Sequence, residues 1–417
     1  MAKFLFHGRS SVSLTQRSTA VHPPFPRDHH IIPHVAVCCF PFLACLLFLS
    51  SCGLSAAGTA HSGTTGTATS APTRSSTPTP TGPSVLFQTI HMFDAHTGWA
   101  VTSDGSHILH TMIGVTHWHD VTPSLGSSQA MLEGRDFLDP LTAWVARGRF
   151  VYRTQDSGQT WQRAPLPGRG LASQLFFLNA HMGWAVVGPV AAAGSEALDI
   201  LQTSDGGASW RVLSVCDPTT VNNPVALPFA GDKTGLSFVN ETTGWVAGST
   251  ARDNFAWFYV THDGGATWRH QAIPLPAGAT QVSIFPPVFF NTTDGLLPAI
   301  IPGLKGQTSE IYVTHDAGAS WHATGSVPAG IIDFVDALHG WIASNTFDVK
   351  YQYLKSTVYS SSDGGEHWTP HSVTLSAAML QIDFASSTRG WAIDSVHALY
   401  QTTDGGQTWT RVTPSLA

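Results

Sequence analysis

Cysteine, charge and long apolar runs are scarce in this 417-residue sequence, and each shortage excludes something. Four of its five cysteines, Cys38, Cys39, Cys45 and Cys52, crowd in or beside one apolar run near the N-terminus. Cys216 is left alone in the body, so the body has no internal disulfide. Only 11% of residues are charged, against 42% hydrophobic. Taking Lys3, Arg9, Arg17, Arg27 and Asp28 of the leader from totals of 20 basic and 27 acidic residues leaves 16 and 26, a formal net charge of −10. A body of that sign is not drawn to nucleic acid or anionic lipid. The longest apolar run, Val35 to Ser50, falls short of the roughly 20 residues a spanning helix needs.

That run contains Pro41 and follows Lys3, Arg9, Arg17 and Arg27, which is the profile of a signal peptide over residues 1–52. It ends in "LSSCG", which resembles a bacterial lipobox: Leu49, two small residues, then Cys52. The resemblance implies lipidation at Cys52 and a lipid-anchored, extracytoplasmic body; the alternative is an uncleaved N-terminal anchor. Residues 53–84 are Ser, Thr, Pro and Gly with almost nothing to bury, and read as a disordered tether.

Beyond the tether, tryptophan sets a period. Trp118, Trp161, Trp210, Trp268, Trp321, Trp368 and Trp409 recur at intervals of 41 to 58 residues, one supersecondary unit per interval. Six more, Trp99, Trp144, Trp184, Trp245, Trp341 and Trp391, fall upstream in strings such as "HMGWAV", with Leu296 in that place in the fifth repeat. Seven residues before this position stands Phe137, Phe177, Phe238, Phe289, Phe334 or Phe384, or Met92 in the first repeat. A turn-forming Asp or Asn follows, giving two short strands and a tight turn. An apolar pair such as Ile200-Leu201 marks a third strand, and the residues after the second tryptophan a fourth. Four antiparallel strands repeated seven times over 85–417 predict an all-β fold, a seven-bladed β-propeller. No blade is expected to borrow a strand from another.

Six of the intervals close on one string. "TQDSGQTW", "TSDGGASW", "THDGGATW", "THDAGASW", "SSDGGEHW" and "TTDGGQTW" carry Asp156, Asp205, Asp263, Asp316, Asp363 and Asp404. Identical turns spaced around a ring cannot converge on one site, so these aspartates read as structural, accepting turn N–H groups beside a glycine of positive φ. The first repeat has "TMIGVTHW" instead, without the Asp. The string resembles the bacterial neuraminidase repeat, or Asp-box. With the single ring, the "GWAV" rhythm and the leader, the sequence looks most like the photosystem II assembly and stability factors of the sialidase-like superfamily. That resemblance implies a non-enzymatic assembly or binding role, with a protein or peptide as partner.

The alternative is an extracellular carbohydrate-binding or glycoside-hydrolase propeller, sialidase-like or xyloglucanase-like. Against it, only Glu133, Glu196, Glu241, Glu310 and Glu366 follow Ser84, and no Arg-Ile-Pro signature precedes the first box. His107, His110, His117, His119 and Asp120 cluster in the first repeat, but nothing completes a ligand set, so neither metal nor cofactor is expected. Cys216 reads as an inert packing residue. Variable loops on a rigid scaffold carry binding, and the long links all leave the end opposite the Asp-boxes. There the basic residues gather around the second repeat, at Arg135, Arg147, Arg149 and Arg169, which are the expected partner-binding residues for an acidic segment or a C-terminal carboxylate.

Overall fold

The computed structural model describes residues 84–124, 132–189, 195–303, 306–348 and 350–417. The leader, Cys52 and the tether up to residue 83 lie outside the described residues, as does Lys305. Among the described residues everything regular is β-strand except one 3-10 turn, Pro218–Thr220. The second repeat is typical: Leu132–Phe137, Ala143–Arg147, Phe150–Thr154 and Gln162–Pro165 form a four-stranded antiparallel sheet in sequence order. The third, sixth and seventh repeats build the same sheet. The fourth and fifth merge into one nine-stranded sheet, because Ser249 of the fourth pairs with Ser283 of the fifth.

The recurring Phe, Gly and Trp are explained by one contact repeated between successive repeats. Phe177 pairs across the strands with Gly183, and a Cβ on Gly183 would lie 2.4 Å from the Phe177 ring. Only glycine leaves room for that ring to lie flat. The other face of Phe177 takes Trp144 of the preceding repeat, stacked at 3.6 Å, while Trp210 meets it edge-on at 5.9 Å. Trp144 Nε1 then donates to the Gly206 carbonyl of the next Asp-box at 2.7 Å. Trp184 does the same with Phe238 and Gly264, and Trp341 with Phe384 and Gly405. Each of these upstream tryptophans therefore buries its surface and satisfies its one donor on the following repeat. Where Ala143 replaces the glycine opposite Phe137, the Trp99–Phe137 stack opens to 5.5 Å.

Side chains of the first strands tie those strands to one another. Asp136 accepts the Phe177 N–H, Asp333 that of Phe384 at 2.5 Å, and Asp383 that of Met92 at 2.7 Å. Gln174 brackets the Leu236 peptide and Gln381 that of Ile90. The bonds from Asp383 and Gln381 link the seventh repeat to the first.

The C-terminus corrects one expectation. Ser415–Leu416 adds a fifth, parallel strand beside His117–Asp120 of the first repeat. Ser415 N donates to Thr116 O at 3.0 Å, Ala417 N to Trp118 O at 2.8 Å, and Val85 N to Pro414 O at 3.1 Å. An outer strand leaves carbonyls unpaired along its edge, and the C-terminal N–H groups satisfy them.

Candidate functional site

The Asp-boxes have the hydrogen bonding of a structural turn. In "THDGGATW", Asp263 Oδ1 accepts from the Thr261 hydroxyl at 2.8 Å and from the N–H groups of Ala266 and Thr267 at 3.0 and 2.9 Å. Oδ2 accepts the Thr267 hydroxyl at 2.6 Å. Gly265 N donates to Thr261 Oγ1 at 2.9 Å, with φ at +107°. Asp316 is held at about 2 by the Ser320 hydroxyl and N–H and the Thr314 hydroxyl. The His367 N–H holds Asp363 at about 2 with help from the His367 and Ser361 side chains, against a smaller effect of burial. At Asp205 burial is the largest single influence, yet donors from Ser209 and Thr203 outweigh it and bring that carboxyl to about 2 as well.

In the sixth repeat His367 Nδ1 stands 2.7 Å from Asp363, where the other boxes put a hydroxyl. Asp363, Glu366 and His367 offer ligand atoms within 4.8 Å of one another; the turn bond accounts for Asp363 and His367, and Glu366 is an exposed neighbour in the same turn. The histidines of the first repeat are committed separately: His107 to Asp120 at 2.7 Å, His110 to the Pro140 carbonyl at 2.9 Å, and His117 to Thr116 at 2.8 Å. Cys216 is buried, its thiol pushed up by that burial.

The four arginines occupy three different environments. Arg149 and Arg169 are exposed on adjoining loops of the link-bearing end, and Arg149 Nη2 donates to the carbonyl of Gly168, the residue before Arg169, at 2.9 Å. Arg169 pairs with Asp217 at 2.7 Å and lies 3.6 Å from Asp199. Arg147 is buried at the end of its strand, with Nη2 on the Ser106 carbonyl of the first repeat at 2.9 Å.

Arg135 is not in an entering loop, as its sequence context suggests, but inside the first strand of the second repeat. A bulge between Leu132 and Arg135 shifts the register. Gly134 thereby lies against the third repeat, where a Cβ would be 3.0 Å from the Ala172 carbonyl. Arg135 retains some accessible surface, yet its guanidinium sits deep enough that burial lowers it to about 10. Its Nε is buried without a partner. On the same strand, burial raises Glu133 to about 7. It also raises Asp136 to about 7, against the N–H groups of Phe177 and Phe137.

Sequence reasoning misses the tying aspartates Asp136, Asp333 and Asp383. A signal for them exists, since each directly precedes a registered phenylalanine in "RDF" or "IDF". The variable link with Tyr351 and Tyr353, which the sequence offers as an alternative binding loop, forms an apolar tip: strands Gly340–Phe347 and Tyr353–Ser361 run long, and Phe347, Tyr351 and Leu354 are exposed at the link-bearing end, Tyr351 at 66%.

No protein-family model matches the sequence, and no curated protein matches it. Solved structures do. YCF48 from Cyanidioschyzon merolae matches at a TM-score of 0.51 and 20% identity, over 78% of this protein and 95% of that one. The GH74 xyloglucanase from Xanthomonas campestris matches at 0.55 and 14%, over 80% and 55%. Oligogalacturonate lyase from Vibrio parahaemolyticus matches at 0.52 and 9%, over 77% and 90%.

The protein has the fold of a β-propeller. At these identities the likeness extends to the fold alone, and two of the three matched proteins are a glycosidase and a lyase by name. The match spans about half the length of the xyloglucanase.

Proposed function

We propose that this propeller is a closed ring of seven blades that binds an acidic peptide or a free C-terminus at its link-bearing end and does no chemistry. The bonds from Asp383 and Gln381 to the first repeat, together with the parallel C-terminal strand, support closure. The observation that carries the binding reading is the exposure of Arg149 and Arg169 on adjoining loops, beside a scaffold whose Asp-box turns are internally saturated. Planar guanidiniums suit a carboxylate. Because Asp199 and Asp217 already offset Arg169, recognition here is directional rather than a bulk attraction. The exposed Phe347, Tyr351 and Leu354 add apolar surface of the kind partner proteins cover. A role as an assembly factor rests on the Asp-box resemblance, and a lipid anchor at Cys52 outside the cytoplasm rests on the leader.

The test uses a synthetic peptide with an Asp-rich, free C-terminus, against its amidated Asn counterpart. Replacing Arg149 and Arg169 together with Gln should weaken binding of the acidic peptide by about tenfold or more, with unchanged melting. Equal affinity for the two peptides, or hydrolysis of chromogenic glycosides by the wild type, would overturn the reading. Arg147 is left out of the variant because its side chain serves the contact between the first two repeats.

A further inference from the structure

The first repeat departs from the other six at the turn between its third and fourth strands. Six repeats place Gln, Ser, His or Thr and then Asp at the tip of this turn, whereas "TMIGVTHW" places Met112 and Ile113 there. Both are open to solvent, 62% and 63% exposed. The turn holds without a carboxylate: the Thr111 hydroxyl donates to the Gly114 carbonyl at 2.8 Å, Ile113 N to the Thr111 hydroxyl at 3.3 Å, and Gly114 N to the His96 carbonyl at 2.8 Å. Leu141 of the second repeat, 56% exposed, extends the apolar tip. Its turn is tied to the first repeat where His110 Nε2 donates to the Pro140 carbonyl at 2.9 Å.

The chain enters the fold beside this tip. Ser84 bridges to Ser415, which pairs in turn with His117 and donates its N–H to the Thr116 carbonyl at 3.0 Å. Ser84 therefore lies two strand spacings, about 10 Å, from the strand that leaves the turn. The 83 residues before Ser84, with the apolar run Val35 to Ser50 and Cys52, all join the body at that edge. Between Ser84 and Arg135 the sequence has no Lys or Arg, so charge does not draw the first repeat to anionic lipid. What this turn has given up is its carboxylate, the group whose approach to a bilayer desolvation opposes most strongly.

We propose that Met112, Ile113 and Leu141 dock into the surface of the membrane that carries the chain's own N-terminus. The Asp-box end of the first two repeats then faces lipid, and the link-bearing end faces away and stays open to a partner. The occupant is a lipid surface entered by apolar side chains, and no charged headgroup is required. The inference rests on the membrane attachment proposed above for the leader and adds to it the face that meets the bilayer. It also accounts for the one turn of the seven that exposes two apolar residues in place of polar ones.

The experiment attaches the full-length protein to preformed phosphatidylcholine vesicles and adds periodate, a charged oxidant that stays in water and converts accessible methionine to its sulfoxide. Met182, half-buried in a turn of the third repeat, is the internal reference. Relative to Met182, Met112 should oxidise about fivefold more slowly in wild type than in Ile113→Asp, which restores the residue of the other six turns and puts a charge at the tip. Because the contact is apolar, the protection should persist at about 0.5 M salt. Equal Met112 rates in wild type and Ile113→Asp on vesicles that retain the protein would overturn the docking face alone; a wild type that never attaches to the vesicles would overturn the membrane anchor with it. Protection that fades when lipid is raised about tenfold at constant protein would assign the tip to a second copy of the chain and also overturn the proposal. If Ile113→Asp does not fold, Leu141→Asp makes the same comparison from the neighbouring repeat and should likewise expose Met112.

Discussion

The Asp-box turns and the first strand of the second repeat treat their carboxylates in opposite ways. In the turns, Asp263 accepts four hydrogen bonds within one eight-residue string, and three of the boxes hold their aspartate at about 2. In the strand, Glu133 and Asp136 stand at about 7 because burial dominates, and Arg135 Nε is buried without a partner among the described residues. Saturation marks groups whose work is finished inside the protein. Unsatisfied burial marks groups whose desolvation nothing within the protein repays.

If the saturated end carries stability, damage there should be the most costly. Trp184 is fully buried, stacks on Phe238 at 3.7 Å and donates to Gly264 at 2.8 Å. Trp184→Ala should therefore lower stability by about 3 to 5 kcal/mol, read by denaturant unfolding, and a loss under about 1 kcal/mol would mean that the stack is incidental. Asp263→Ala removes only the acceptor and leaves the turn N–H groups of Ala266 and Thr267 unmatched. We expect a loss of about 1 to 3 kcal/mol with peptide affinity unchanged; lost affinity at an unchanged Tm would make the box functional and collapse the contrast.

The contrast also explains what is legible in the sequence. Phenylalanine, glycine, tryptophan and the box recur because each repeat needs the same stack and the same turn, so repetition reveals them. The box hydrogen bonds follow from residue type alone. The place of Arg135 is hidden because Gly134 and the bulge break the two-residue period that marks a strand, and Gly134 stands there because Ala172 of the next repeat approaches too closely for a larger residue. Arg147 has the sequence context of a surface residue, since nothing local announces that Ser106, 41 positions earlier, accepts from it. The C-terminal strand is two residues long and pairs with a segment about 300 positions away, beyond the reach of any local pattern.

The smallest expected effect separates the two regions by the sign of their pH dependence. A carboxyl whose folded value is depressed stabilises above its ordinary value, and that stability is lost as pH falls through the folded value. For Asp205, Asp316 and Asp363 the window runs from 3.8 down to about 2. A carboxyl whose folded value is raised does the reverse: its neutral form favours the fold below the ordinary value, and the advantage disappears as pH rises to the folded value. For Glu133 that window runs from 4.5 up to about 7, and Asp136 acts over a similar one from 3.8. Stability should therefore fall on both sides of a maximum near pH 4, the acid flank belonging to the turns and the neutral flank to the strand. Glu133→Gln replaces the carboxyl with a group that never ionises. It should raise Tm at pH 8, leave it unchanged at pH 4, and flatten the neutral flank only in part because Asp136 still titrates. Glu133 is half-buried, so solvent screens the effect and a gain of about a degree or two is the scale expected. An equal Tm change at pH 4 and pH 8 would show that the carboxyl is not held neutral by burial, and the opposition between the two regions would then rest on Asp136 and Arg135.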